Sequence, residues 1–345
     1  MKNNETYRKS CIEGAKKLLF ESLQINQNDK VLILASEGMM VFAKYIFKAA
    51  VDFNRKDLCY IIIPDNFRPI VKVPDLLGDI GKESNKIIHI TDRRAEEDYT
   101  FIRPFRAICE NNKSKYLYLY DAKIDYLENG GINADYKIVN KKCKEVARLL
   151  KESLEINVSS KLGTSLSFKI YDKVFPRSPI FDKEQYANQA PEGETTAVPL
   201  EESFEGRLVV DGPVTGVGKA KELIIWEFEN GKVSKVNGNK DDLDRLFKFL
   251  KSSDPTIKSL EGISIAEFAL GTNDWAKVDD NISNCEKVSG TVHFGMGHRI
   301  GNVGKERGEK YHFDSMLIND VSVKIKNNKS DVIDLISFGK LLVNP

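Results

Sequence analysis

Short apolar runs and amphipathic stretches alternate through the first 155 residues. The runs are almost wholly apolar, as is typical of strands covered on both faces, and lie at 30–35, 58–63, 85–90 and 114–120. The amphipathic stretches have helical spacing and lie at 7–23, 39–53, 99–111 and 135–155. Strands that alternate with helices in this way indicate an open, mostly parallel α/β sheet.

The pattern changes to a two-residue alternation after about residue 155. Alternating runs such as 163–170 are typical of antiparallel strands with one solvated face. Asn230 and Gly231 separate two further alternating runs and suit a type I′ hairpin turn. We therefore predict the α/β class, with an α/β scaffold domain over 1–155 and a β-rich α+β domain over 156–345.

Composition bears on the cellular location and partners of the protein but does not indicate its function. The 345 residues allow two domains, and the formal net charge of +1 gives no reason to expect nucleic acid or an anionic membrane as partner. Five scattered cysteines without a Cys-x-x-Cys spacing indicate buried free thiols in a reducing cytoplasm. No segment approaches the ~20 apolar residues of a membrane span, and no signal peptide is evident at the N-terminus. We expect a soluble cytoplasmic protein.

Three of the four histidines, His293, His298 and His312, fall within twenty residues. If the segment around His312 is a strand, its side chain and that of Asp314 project to one face, as two ligands of one metal must. We expect His298 to be an exposed loop residue, with the roles of extra ligand or substrate contact as alternatives. His89 lies inside an apolar run and is expected to be a hydrogen-bonded core or edge histidine.

Acidic residues at three places in the second half need an explanation. Glu192 and Glu194 lie in a proline- and glycine-containing segment, 188–199, which we expect to be a loop and which by itself would be a solvated acidic turn. Glu267 interrupts an otherwise apolar strand, where an unpaired charge would be costly, so it should have a positive partner or a metal. Glu286 adds an acid just before the histidine-rich stretch.

These residues supply more ligands than a single catalytic zinc requires. Two imidazoles and three carboxylates are candidates for metal ligation: Glu194, Glu267, His293, His312 and Asp314. Such a set suits two divalent ions ~3.5–4 Å apart that share a carboxylate and a hydroxide. Mixed nitrogen and oxygen ligation without thiolate favours Zn²⁺, Co²⁺, Mn²⁺ or Fe²⁺.

The second half also resembles the thermophilic aminopeptidase family, the aminopeptidase T and aminopeptidase S group of dimetal metallopeptidases. The resemblance rests on motifs in the same order: Pro-Glu-Gly-Glu-Thr-Thr-Ala-Val-Pro ending at Pro199, Asp211-Gly212, Gly231-Lys-Val, Glu-Phe-Ala-Leu-Gly-Thr-Asn starting at Glu267, Glu-Lys-Val-Ser-Gly-Thr-Val-His ending at His293, and His-Phe-Asp ending at Asp314. Over the first half the likeness is only a general strand and helix pattern.

The resemblance implies a homodimer that binds two metal ions and removes N-terminal residues from small peptides. It implies the same five metal ligands, and it matches Glu286 to a Glu-Lys pair of the family, as an acid/base or supporting residue. One position departs from the family. The tyrosine usually found seven residues after the Gly-Thr-x-His histidine, and associated with catalysis, is Ile300 here.

Two alternatives to the peptidase remain open. The 2,5-dihydroxypyridine dioxygenases are similar to this family and close to this chain in length, and they use a mononuclear Fe(II) site that His293, His312 and Asp314 could supply. Loss of the tyrosine at Ile300 also allows a relative that binds a peptide or a metal without catalysis. Metal content distinguishes the three, because two ions, one iron or none are expected.

Overall fold

The structure is a computed structural model that describes residues 8–53, 57–301, 303 and 308–343. The α-helices are α1 (Lys9–Lys16), α2 (Met40–Asp52), α3 (Asp75–Glu83), α4 (Ala95–Glu97), α5 (Arg103–Asn111), α6 (Ile124–Asn129), α7 (Tyr136–Lys151), α8 (Lys240–Ser253) and α9 (Ile282–Cys285).

The strands, in chain order, are β1 (Val31–Ser36), β2 (Leu58–Ile63), β3 (Lys86–Thr91), β4 (Lys115–Tyr120), β5 (Ser153–Ser159), β6 (Ser165–Phe168), β7 (Ile170–Arg177), β8 (Ala187–Gln189), β9 (Glu194–Pro199), β10 (Glu205–Val210), β11 (Ile224–Glu229), β12 (Lys232–Asn237), β13 (Ile265–Gly271), β14 (Val292–Gly297), β15 (His312–Leu317), β16 (Ser322–Asn327), β17 (Val332–Ser337) and β18 (Lys340–Leu341).

The first compact unit contains the described residues up to Tyr136 together with Pro179–Glu192. Its five strands form a parallel sheet in the order β2-β1-β3-β4-β8. Alternate residues of β1 lie in two separate apolar clusters, Ile33 in one and Leu34 in the other. Both faces of the strand are therefore covered, which explains its uninterrupted apolar sequence and confirms the predicted parallel α/β sheet.

His89 lies inside this sheet, as predicted for a core histidine. Its side chain is on β3, is 1% exposed, and has Nδ1 2.5 Å from the hydroxyl of Tyr116. Burial, with a smaller contribution from the Arg68 charge, lowers the pKa of His89 to about 3. The imidazole therefore stays neutral in the folded protein at neutral pH.

Acid should destabilise the fold through His89. The unfolded chain takes up a proton near pH 6.5 and the folded chain only near 3, so stability falls with pH in this window by about 1.4 kcal/mol per unit. In His89→Gln the amide can still bond to Tyr116 but cannot titrate. The free energy of unfolding, measured with urea between pH 4 and 7, should therefore depend less steeply on pH in this variant than in the wild type. Tyr116→Phe should keep the wild-type slope, because burial causes the shift.

The second compact unit contains Lys137–Ser178 and the described residues from Gly193 onward. Its two antiparallel sheets have the orders β12-β11-β10-β6-β5-β16-β17-β18 and β15-β14-β13-β9-β7. The β-rich second half is therefore as expected. Asn230 and Gly231 adopt φ values of 49° and 69° between β11 and β12, which fits the predicted type I′ hairpin.

The compact units do not divide at residue 155, the predicted domain boundary. Helix α7 contributes Val146 and Leu150 to the apolar core that β5 and β6 share, so nearly all of it belongs to the second unit. Residues 179–192 return to the first unit, where β8 extends the parallel sheet beside β4. Apolar periodicity gave no sign of this excursion, because β8 has only three residues.

The two faces of the antiparallel five-stranded sheet, β15-β14-β13-β9-β7, differ in character. One face contributes Phe268, Phe294 and Phe313 to the core of the second unit. The residues that alternate with them, including His293 and Asp314, project from the opposite face. The sheet therefore separates an aromatic core on one face from buried polar side chains on the other.

A bulge in β13 gives Glu267 its direction. Ile265 pairs with Met296 and Glu267 with Gly295, so the register shifts between them. In a regular strand Ile265 and Glu267 would share a face, but the extra residue lets Ile265 stay in the apolar core while Glu267 turns to the other side. The acidic residue that interrupts the apolar run thereby leaves the core.

Two further expectations from the sequence concern membrane-spanning helices and the cysteines. No helix of the described residues is both long and apolar enough to cross a membrane. All five cysteines are free thiols, and four of them are buried.

Candidate metal centre

The predicted ligands share the polar face of the antiparallel five-stranded sheet. Residues with small side chains lie between them. Glu267 lies opposite Gly295, which in turn lies opposite Asp314. The other cross-strand neighbours are Ala269 for His293, Gly297 for His312, and Gly271 for Glu194. Small neighbours leave space above the sheet into which the ligand side chains converge.

The structure brings these residues into two clusters. Within each cluster, the atoms that could bind a metal lie within 4.8 Å of one another. Glu267, His312 and Asp314 form the first, called here the His312 cluster. Glu194, His293 and Glu286 form the second, called the His293 cluster. Each can hold a metal ion. All five residues predicted as ligands are included, and Glu286, assigned from the sequence to catalysis, joins the second cluster.

Glu267 directs one carboxylate oxygen toward each cluster. Its Oε2 is 3.1 Å from Nε2 of His312, and its Oε1 is 3.7 Å from Nε2 of His293. Within the clusters, Asp314 Oδ1 is 3.1 Å from His312 Nε2 and Glu194 Oε2 is 3.9 Å from His293 Nε2. Ligands held about 2.0–2.2 Å from one ion lie roughly 3–4 Å apart, so both sets of distances fit a bound divalent metal.

Without metal, protons on the histidines hold the clusters together. Burial alone would lower the pKa of His293, but Glu267 and Glu194 raise it to about 9. Burial opposes protonation of His312 too, yet Asp314 and Glu267 hold its pKa well above the usual value. Ligating imidazoles must be neutral, so metal binding at neutral pH displaces these protons.

The two histidines differ in what their other ring nitrogen contacts. His312 Nδ1 lies 2.7 Å from the backbone carbonyl oxygen of His298, to which it can donate. This contact turns Nε2 toward the carboxylates, as the supporting hydrogen bond of a metal-binding histidine does. His293 Nδ1 is buried and has no hydrogen-bond partner among the described residues. His298, expected to be exposed, is half-buried and acts through its backbone.

A buried lysine, overlooked by the sequence analysis, supports the His293 cluster. Lys287 is 1% exposed, and its Nζ lies 2.8 Å from Oε1 of Glu194 and 3.0 Å from Oε1 of Glu286. Arg177 Nε lies 3.9 Å from the same oxygen of Glu194, but that side chain is 31% exposed and solvent screens it. The Glu-Lys pair was noted in the sequence only for its acid.

The segment carrying Glu192 and Glu194 differs from its predicted form. It is not a solvated acidic turn, because Glu192 is 2% and Glu194 5% exposed. Glu194 begins strand β9 instead of lying on a loop, and β9 pairs with β13 and β7. Alternation could not reveal this strand, since all six of its residues are buried.

No family model matches the chain, and no curated protein matches it in sequence. Its fold is similar to two solved structures. One is 2,5-dihydroxypyridine dioxygenase from Pseudomonas putida KT2440, with a TM-score of 0.68, 16% identity, and 96% of this chain and 97% of that chain covered. The other is wild-type AmpT from Thermus thermophilus, a thermophilic aminopeptidase T, with a TM-score of 0.67, 12% identity, and 97% and 99% covered. Both are enzymes, and at these identities the likeness establishes the fold alone.

Proposed function

We propose that the protein is a dimetal aminopeptidase that removes N-terminal residues from small peptides. The observation that carries this proposal is Glu267, whose two oxygens face His312 on one side and His293 on the other at 3.1 and 3.7 Å. A carboxylate in this position suits a bridge between two ions. A mononuclear site made of His293, His312 and Asp314 has no need of Glu267 or Glu194.

The charges around the clusters also favour two ions. Four carboxylates meet there, Glu194, Glu267, Glu286 and Asp314, and the buried ammonium of Lys287 contacts two of them. With neutral imidazoles, these four carboxylates and Lys287 together carry three negative charges, more than one divalent ion supplies. Buried charge without compensation is strongly unfavourable, so the site favours a second cation.

When bound, the two ions would polarise the peptide carbonyl and lower the pKa of a water molecule to near neutrality. Glu267, His312 and Asp314 would hold one ion, and Glu194, His293 and Glu267 the other. Glu286 is 8% exposed and lies in the His293 cluster, where it can accept the proton of the attacking water. The water oxygen adds to the carbonyl carbon, the C–N bond breaks, and Glu286 returns the proton to the leaving amine.

A mononuclear Fe(II) dioxygenase is the second candidate, favoured by the similar fold of the solved dioxygenase. Its facial triad would be His293, His312 and Asp314. In the described structure, however, His312 and Asp314 cluster with Glu267, while His293 clusters with Glu194 and Glu286. Glu267 and Glu194, which lie within 4 Å of the histidine nitrogens, would have no role in that triad. The arrangement therefore favours the hydrolase.

The proposal is tested by metal content and product analysis on one preparation. Protein loaded with Zn²⁺, Co²⁺ or Mn²⁺ should retain two ions per chain and release N-terminal residues from free peptides, but not from the same peptides with acetylated N-termini. Loading with Fe²⁺ and adding 2,5-dihydroxypyridine should cause no oxygen uptake. One iron per chain with oxygen uptake would establish the dioxygenase. Metal or peptide binding without turnover would indicate the non-catalytic relative.

A further inference from the structure

The two clusters of the candidate metal centre are built unequally, although each offers a histidine and carboxylates. The His312 cluster contains Glu267, His312 and Asp314, and its closest nitrogen–oxygen distances are both 3.1 Å. The corresponding distances around His293 are 3.7 and 3.9 Å. The first cluster is thus the more compact before any ion binds.

Fixed cations lie beside only one of the clusters. Lys287 Nζ contacts Glu194 at 2.8 Å and Glu286 at 3.0 Å, and Arg177 approaches Glu194 at 3.9 Å. No lysine or arginine pairs with Asp314 or Glu267 among the described ion pairs. A buried ammonium group partly neutralises the carboxylates that it contacts and repels a divalent ion placed next to them. The His293 cluster therefore attracts a cation less strongly.

The histidines differ in the same direction. His312 is fixed through Nδ1 by the carbonyl oxygen of His298 at 2.7 Å, which orients Nε2 and makes it a better donor to metal. His293 Nδ1 has no such partner among the described residues, although His293 is only 2% exposed. Supporting hydrogen bonds of this kind alter metal affinity by about 10–100-fold.

From these three differences we infer that the centre binds its two metal ions in a fixed order, because Lys287 weakens binding of the second ion. The His312 cluster takes the first ion tightly, and the His293 cluster takes the second ion weakly. The inference rests on the proposed two-ion site and adds its loading order and the residue responsible. At limiting metal the protein holds a single ion beside Asp314, and peptide cleavage sets in only when the second position fills.

Metal titration without peptide tests this order. Metal-free protein titrated with Zn²⁺ by calorimetry, and with Co²⁺ by visible absorption, should bind in two steps whose dissociation constants differ at least about 30-fold. His293→Ala should remove only the weak step. His312→Ala should remove the tight step. Equal steps in the wild type, or loss of the tight step in His293→Ala, would overturn the inference.

Lys287→Met isolates the role of the charge, since methionine is apolar and of similar length. The second dissociation constant should fall at least tenfold, while the first changes less than threefold. Lys324→Met is the matched control, because Lys324 pairs with Asp334 on the surface of the same unit and should leave both steps unchanged. An unchanged second step in folded Lys287→Met contradicts the inference. If this variant does not fold, the histidine variants still decide the order.

These results separate the inference from the proposed function. Two equal steps accompanied by peptide cleavage would overturn the loading order and leave the aminopeptidase intact. Two unequal steps without cleavage would support the order and count against the peptidase. A single binding step that is lost in His293→Ala and also in His312→Ala would contradict both the loading order and the proposed two-ion aminopeptidase.

Discussion

Glu267→Gln is expected to reduce bound metal from two ions per chain to one or none and to lower kcat/KM for peptides at least about 10³-fold. The carboxylate has one oxygen toward His312 and the other toward His293, so its loss affects both clusters. Glutamine has the same shape but only one oxygen, and its NH₂ group cannot ligate a metal. Elemental analysis of dialysed protein and initial-rate kinetics measure the two effects.

The same substitution should destabilise the metal-free protein. Despite burial, which favours the neutral acid, contacts with His293 and His312 lower the pKa of Glu267 well below its usual value. The raised pKa of His293, about 9, means that its pairing with Glu267 stabilises fully below pH 6.5 and weakens as pH rises toward 9. Removing one partner of a buried pair costs about 3–5 kcal/mol, so metal-free Glu267→Gln should lose roughly that amount at pH 6.

Glu261→Gln is the control for this prediction. Glu261 is exposed and lies in the same unit, six residues before Glu267. Its substitution should change neither metal content nor kinetics. Two ions and near-wild-type rates in Glu267→Gln would exclude a bridging role, and the dimetal proposal would then fail.

Gly295→Ala is expected to weaken metal binding on the order of 10–100-fold without adding or removing a charge. A Cβ at residue 295 would lie 2.6 Å from Cε1 and 2.7 Å from Nε2 of His312, and 2.8 Å from Cβ of Glu267. Contacts this short force the ligands apart, and the crowded atom includes the nitrogen that would bind the ion. One methyl group therefore displaces two ligands at once.

Gly308→Ala is the matched control, because a Cβ there has no atom of the described residues within 4 Å. It should leave metal affinity and melting temperature near the wild-type values. Isothermal titration with Zn²⁺ and a thermal melt of metal-free protein separate loss of the ligand geometry from loss of the fold. Wild-type affinity in folded Gly295→Ala would show that the cluster around His312 does not bind metal.

The regular elements could be predicted because their patterns are local. The apolar runs that became β1 and β3 are almost wholly buried and those of β2 and β4 are at least partly buried, while the alternation around Asn230 reflects a hairpin closed by its own turn. Strand β8 and the placement of α7 were not predictable in this way. The place of β8 depends on its pairing with β4, and that of α7 on which distant surface its apolar residues cover. Period alone specifies neither.

The candidate site divides along the same line. The sequence alone singled out His293, His312 and Asp314 as candidate ligands because histidines are scarce, and Glu267 because a carboxylate inside an apolar strand needs a partner. Glu194 became a candidate through the ligand count and the family resemblance. The sequence also placed His312 and Asp314 on one face from the two-residue period of a strand.

Only the tertiary structure decided how these residues are grouped. Cross-strand register places Gly295 between Glu267 and Asp314, and a bulge in β13 turns Glu267 out of the core. Folding also buries Lys287 against Glu194, so a residue that the sequence presents as an ordinary charged neighbour of Glu286 becomes part of the site. Strand pairing and burial join residues far apart in the chain, and for that reason local sequence patterns could supply the candidate ligands but not their arrangement.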